Sequence, residues 1–180
     1  MIVETVTTTR NPNGTVNCAA MGVEWGEETI VIKPFSGTRT LRNLRAHGAA
    51  VVNLTDDILL FAHAALGDPQ PPTRAAEAID GAVLADACSW REVEVDSIEA
   101  GPRARVVTRV VGRGRGREFI GFNRACHAVL EASILASRVR RLPAEAIHAE
   151  LARLAVLVDK TAGPREREAM EYVRAAIGDA

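Results

Sequence analysis

The chain has 180 residues and a mass of 19.3 kDa, with 47% hydrophobic and 25% charged residues and a formal net charge of −1. That length supports one domain, or one domain with a small appendage, without a metal or disulfide staple, and the mix excludes disordered, collagen-like and fibrous classes. Charge balance argues against a chain-wide nucleic-acid glove, and no apolar run approaches the roughly 20 residues that a bilayer demands.

Ile2 to Thr8 alternates apolar residues with threonine, a half-buried strand. Asn11-Pro12-Asn13-Gly14 is a strong turn, and Thr15 to Trp25 is a second strand rich in small residues. After Gly26-Glu27-Glu28, Thr29 to Lys33 forms a third strand, giving an antiparallel meander. Pro34-Phe35-Ser36-Gly37 stops that strand. Thr38 to Ala46 then reads as a helix with Leu41 and Leu44 on one face, either Ser36 or Thr38 as its N-cap and Gly48 at its end. Ala50 to Leu54 is a fourth strand. Thr55-Asp56-Asp57 caps a helix over Ile58 to Leu66, with Asp57 the natural cap and Asp56 a candidate for a substrate side.

Residues 68–75, with three prolines, read as a loop, and the stretch to Ala87 fits no single element. Trp90 to Ile98 is a strand with acids at alternate positions, and Arg105 to Val111 is its partner. The glycine-arginine run Gly112 to Arg117 reads as a mobile hairpin tip or loop. Three helices follow: Arg124 to Arg140, one opening at Pro143 and running to Val158, and Glu166 to Ile177. Strands first and helices last is an α+β layout, divided here as 1–122 and 123–180.

Cys18, Cys88 and Cys126 are odd in number and far apart, which fits neither a disulfide framework nor a zinc knuckle. The four histidines show no ligand spacing, and no nucleophile elbow or P-loop occurs. Met1-Ile2-Val3-Glu4 places an acid where a secretion leader carries bases, so a cytoplasmic location is expected. From Arg103 to Arg141 ten arginines face two acids, which admits a basic module for nucleic acid or an acidic partner. The 4% aromatic content leaves few platforms for stacked bases, and a solvated face is the plainer reading.

The most informative segment is Ile32 to Leu44. It ends a strand, turns at Ser36-Gly37 and opens a helix whose free N–H groups and dipole favour an anion. Thr38 and Thr40 add hydroxyls, Arg39, Arg42 and Lys33 add positive charge, and a capped helix with solvated arginines is the plainer alternative. Asn17-Cys18-Ala19-Ala20-Met21-Gly22 on its strand, followed by Val31 to Thr40, Asn43-Leu44 and Ala50 to Leu54, resembles the FMN-binding split-barrel superfamily. Pro34-Phe35, Thr38-Arg39-Thr40, Asn43-Leu44, Val52-Asn53 with Asp56-Asp57, Phe61-Ala62, Ala64-Ala65-Leu66 and Phe122-Asn123-Arg124-Ala125 resemble its DUF447 family. The resemblance spans about residues 2–175 and is strongest over 31–66.

The resemblance implies an α+β fold: an antiparallel, Greek-key split β-barrel with a C-terminal helical segment. It also implies non-covalent FMN at a homodimer interface. Thr38, Arg39 and Thr40 would take the phosphate, with Asn43 in support and Ser36 in the same turn. Asn17, Ala20, Met21 and Gly22 would lie along the flavin edge. Lys33 and Asn53 are further candidates for the phosphate or the pyrimidine edge, and Asn123 and Arg124 either cap their helix or clamp the phosphate. No side chain stands out as a catalytic acid or base. A flavin oxidoreductase acting through N5, with an association to methanopterin-linked one-carbon metabolism, is the implied activity. A flavin-binding protein without turnover is its rival.

Overall fold

The computed structural model describes residues 1–178, which form two compact units. The first comprises Met1–Thr55 and Asp68–Phe119, and the second Asp56–Gly67 with the segment from Ile120 onward.

The first unit is a closed antiparallel barrel with strand order β1-β2-β3-β8-β7-β4. Its strands are β1 (Ile2–Arg10), β2 (Val16–Glu24), β3 (Thr29–Ile32), β4 (Ala49–Leu54), β7 (Ser89–Glu99) and β8 (Arg105–Arg115). A short hairpin, β5 (Thr73–Ala75) and β6 (Ala82–Leu84), forms a separate two-stranded sheet whose β6 packs against β1 and β4. The expected meander of the first three strands is present, and β1 closes the barrel on β4 through Val6↔Asn53, Thr7↔Val52 and Thr8↔Val51. Val23, Ile30, Ile32, Val52, Val93 and Val106 fill the interior, and Leu41 and Leu44 of α1 (Arg39–His47) join the same cluster. The helix is thereby fixed on the barrel by the apolar face its sequence spacing announces.

β2 pairs with β1 along its whole length but meets β3 only at Val23↔Ile32 and Glu24↔Val31. Among the described residues no strand pairs with its second edge over 16–22, so the barrel is split there.

Three sequence expectations change. The prolines of 68–75 give way to β5 at Thr73, because Arg74 and Ala75 pair with Val83 and Ala82. The first C-terminal helix stops at Ala136 rather than Arg140, and a 3₁₀ turn over Val139–Arg141 follows. The glycine-arginine run is no loop, since β8 continues through Arg115. Its alternation matches the strand period of two. A Cβ on Gly112 would lie 3.1 Å from the Glu92 carboxyl carbon, one on Gly114 would overlap the Trp90 indole, and one on Gly116 would overlap the Ala87 carbonyl. Only glycine lets those groups lie flat on the strand.

The second unit holds α2 (Ile58–Leu66), α3 (Arg124–Ala136), α4 (Ala144–Thr161) and α5 (Pro164–Gly178). Thus α2, although it lies within 1–122, packs with the C-terminal helices, against α3 and α5. The α3 face made of Ala125, Ala128, Val129 and Ala132 is buried, and such small residues allow close helix approach. Among the described residues no helix is long and apolar enough to cross a membrane.

Candidate functional site

The turn before α1 is built locally. Gly37 adopts φ 81°, a left-handed conformation that side chains disfavour, and nothing lies within 4 Å of where its Cβ would stand. Thr38 is the N-cap: its Oγ1 accepts from the Leu41 N–H at 3.3 Å and donates to the Phe35 carbonyl at 2.8 Å. Gly48, at φ 65°, ends the helix with its N–H on the Leu44 carbonyl. The first-turn N–H groups of Arg39 and Thr40 point out of the helix end with no intrahelical partner.

Behind this turn lies a buried polar network that joins three elements. Asn17 on β2 donates through Nδ2 to Thr40 Oγ1 at 3.1 Å and to Thr9 Oγ1 at 3.2 Å. Asn43 on α1 donates to the same Thr9 oxygen at 3.0 Å and to Asn11 Oδ1 at 2.8 Å. Thr9, Asn17, Thr40 and Asn43 are all at most 6% exposed. A buried amide without such partners costs about 1–3 kcal/mol, so the network fixes α1 against β2 in one register. The hydroxyls of Thr38 and Thr40 therefore serve different partners, the first capping the helix and the second facing Asn17.

Arg39 pairs with Asp68 across the mouth of a cleft of about 760 Å³. One wall is the α1 face made of Arg39, Arg42, Asn43 and Ala46; the other is the β1–β2 turn with Asn11, Pro12, Asn13 and Thr15; Asp68 and Gln70 complete it. Next to the cleft, burial and the Asp68 carboxylate push the Cys18 thiol up to about 12, so it stays protonated and inert.

The remaining β2 candidates follow the split. Ala20, Met21 and Gly22 are half-buried on the stretch with the open edge, and the Glu4 side chain crosses Gly22, where a Cβ would lie 2.8 Å from its Oε1. Ser36 is exposed in the turn, its N–H held by the Pro102 carbonyl at 3.0 Å. Two further candidates do not join this group. Lys33 is paired with Glu24, whose carboxyl it holds below the usual range through their hydrogen bond. Asn53 is fully buried, with Nδ2 donating to the Val6 carbonyl and Oδ1 accepting from the Leu84 N–H, both at 3.0 Å. It ties β4 to β1 and β6. Asn123 and Arg124 belong to the helical unit, where Asn123 Oδ1 caps α3 by accepting from the Ala125 N–H at 2.7 Å. Arg124 is the first residue of that helix.

Thr9, Asn11, Asp68 and Gln70 were not signalled as site residues by the sequence. The one hint was chemical: Thr7-Thr8-Thr9 is polar on both strand faces, yet all three are buried and require partners.

The barrel and its added helices match solved structures. An FMN-bound protein from Methanosarcina mazei, of the DUF447 family, superposes with TM-score 0.82 at 24% identity, covering 97% of this chain and 94% of that one. A flavoredoxin from Methanosarcina acetivorans matches with TM-score 0.58 at 13% identity, over 67% of this chain and 72% of that one. A styrene monooxygenase flavin reductase from Pseudomonas putida matches with TM-score 0.56 at 20% identity, over 64% and 80%. The family model described as the N-terminal domain of a protein of unknown function, DUF447, matches residues 3–115, and its C-terminal companion matches 123–175. With both parts matched in order on a split barrel followed by helices, the chain belongs to the DUF447 family.

Proposed function

We propose that this chain binds FMN, with the phosphate at the first turn of α1 and the flat ring along the open edge of β2, and that it serves flavin redox chemistry. The observation that carries this reading is the Asn17–Thr40 hydrogen bond at 3.1 Å, which locks an anion-favouring helix end to a strand with one unpaired edge. The donor set fits the group. The Arg39 and Thr40 N–H groups suit a phosphate, with the Asp68-paired Arg39 guanidinium beside them. The β2 backbone over 17–22 offers N–H and C=O groups to a heterocycle's edge, the Val16 and Met21 carbonyls being held by Gln70 and Thr5. Ala19 and Ala20 raise no bulky side chain above that edge, while the Glu4 carboxylate lies over Gly22. Asn43 supports the turn from beneath. Bound there, the flavin supplies a two-electron redox centre.

The similarity to an FMN-bound protein of the same family, and the shared fold with a flavin reductase and a flavoredoxin, support the reading. We extend it to a homodimer, in which a second copy covers the ring. Phe35, 49% exposed beside the phosphate turn with the Arg103 guanidinium 5.0 Å from its ring centre, is the apolar contact in that reading. The association with methanopterin-linked metabolism makes a pterin the first substrate class to assay. The rival basic module finds little support. Arg105, Arg109 and Arg113 of the arginine-rich stretch pair with Glu99, Glu94 and Glu28.

FMN titration followed by absorbance tests the proposal. The expected result is a perturbed flavin spectrum saturating near one per chain, at least tenfold weaker in Arg39→Ala. Anaerobic bleaching by NAD(P)H identifies a reductase, and binding without bleaching favours another donor or a non-catalytic flavoprotein. No spectral change at saturating FMN refutes it.

A further inference from the structure

The geometry points to a nucleotide site along α1, in the part of the cleft that lies beyond the phosphate turn: it is built to take the ADP group of a dinucleotide or free nucleotide. This rests on the flavin reading only for what occupies the neighbouring turn.

The volume is the first argument. At about 760 Å³ the cleft is of ligand-pocket size, and a lone phosphate would leave most of it empty. Arg39, Arg42 and Ala46 line one helix face at spacings of three and four, so the wall extends about 10 Å from the first turn towards the helix end.

Charge is the second. Arg39 is neutralised by Asp68, but among the described residues the Arg42 guanidinium makes no ion pair or hydrogen bond. Elsewhere on the barrel Arg105, Arg109 and Arg113 are each held by an acid. One uncompensated guanidinium thus faces a polar cleft, positioned for a second phosphate. Asp68 in the same wall is an acceptor that suits the paired hydroxyls of a ribose.

Hydrogen-bond polarity is the third. Asn13 uses Oδ1 to accept from the Thr15 N–H at 3.2 Å and hydroxyl at 2.7 Å, leaving Nδ2 as its donor. Gln70 uses Nε2 to donate to the Val16 carbonyl at 3.3 Å and the Pro69 carbonyl at 3.1 Å, leaving Oε1 as its acceptor. One donor and one acceptor suit the polar edge of a purine, whether N1 and the amino group of adenine or O6 and N1–H of guanine, and Pro12 and Ala46 offer apolar surface to the ring.

Calorimetric titration of the full chain with ADP tests this, beside Arg42→Glu and Ala46→Glu. Both positions are exposed on the helix surface, so the variants retain the fold, which circular dichroism verifies. ADP is expected to bind once per chain, at least tenfold more weakly in each variant. FMN affinity is expected to move less than threefold in Ala46→Glu, which lies about 10 Å along α1 from the phosphate turn. FAD binding at least tenfold tighter than FMN, with that gain lost in Arg42→Glu, identifies the flavin's own adenylate as the occupant. ADP binding with equal affinity to apo and FMN-loaded protein identifies a separate nucleotide. Either outcome supports the site. Absence of ADP binding, or equal binding by the variants, overturns it. If FMN binds while ADP does not, this inference fails alone; if ADP binds while FMN does not, the flavin reading fails alone.

Discussion

Two stretches of this chain look like ligand loops on paper, Ser36-Gly37-Thr38-Arg39-Thr40 and Gly112 to Arg117, and the fold treats them oppositely. At the first, glycine is required by the backbone: Gly37 sits at φ 81° with open space where a Cβ would be. At the second, glycine is required by the neighbours. Gly112 and Gly114 lie on β8 and Gly116 just past its end, and their missing side chains are replaced by Glu92, Trp90 and the Ala87 carbonyl. Trp90 is closed on its other side by the Arg74 guanidinium, 4.2 Å from the ring centre. The Glu92 carboxylate accepts from the Glu77 and Ala78 N–H groups and from Trp90 Nε1. Glycine that makes room for protein leaves no room for a ligand. The arginines between those glycines face the other way, and Arg113 meets Glu27 and Glu28.

The comparison breaks most sharply at Gly114. Gly114→Ala forces a methyl into the Trp90 ring and is expected to cost about 3 kcal/mol, a Tm loss of about 6–12 °C for a chain of this size. Its neighbour Arg113→Ala, removing only half-exposed ion pairs, is expected to cost less than about 0.5 kcal/mol. Equal Tm losses for the two would refute the packing account.

Glu92→Gln keeps the shape but replaces a charged acceptor by a neutral amide. Destabilisation of about 2 kcal/mol is expected in urea unfolding, with Trp90 fluorescence altered because its Nε1 partner changes. On the α1 side, Asn43→Ala leaves Thr9 and Asn11 short of a donor and is expected to cost about 1–2 kcal/mol. Unlike the Glu92 variant, it should also weaken FMN binding, by about tenfold. Loss of FMN affinity in both variants alike would erase the distinction between the two regions.

Gly37→Ala meets open space and pays only in backbone strain, about 1 kcal/mol. The smallest effect at neutral pH concerns Cys18. Its thiol titrates near about 12 when folded against 9.0 as the reference. Below about pH 9 the group is protonated in both states and stability is indifferent to it. As pH rises from there towards 12 the unfolded chain loses its proton first, so stability falls. Unfolding curves at pH 7 and pH 10 should differ less in Cys18→Ala than in the parent.

Much of the fold was legible because its signals are local. The cap of α1 at Thr38, its stop at Gly48, the Asp57 cap of α2 and the turn at Asn11–Gly14 each depend on a few adjacent residues. The β5–β6 hairpin was not legible, since three-residue strands carry no periodicity to read. At the site, Thr38 and Arg39 were visible as a helix opening. Asp68, 29 residues further on, was not, because its pairing with Arg39 exists only after the chain returns from α2.

Composition, caps and alternation by themselves determined an α+β chain with an antiparallel meander first and helices last, and a turn before Arg39 that favours an anion; the barrel was implied only by the resemblance to DUF447. The tertiary structure alone decided the rest, because it rests on residues distant in sequence sharing one space. It left the β2 edge open over 16–22, joined Asn17 to Thr40, and turned a glycine-arginine run into a strand by laying Trp90 and Glu92 across it. A local pattern can specify a backbone conformation, but only the packed fold specifies whether a neighbour fills the space beside it or leaves it for a ligand.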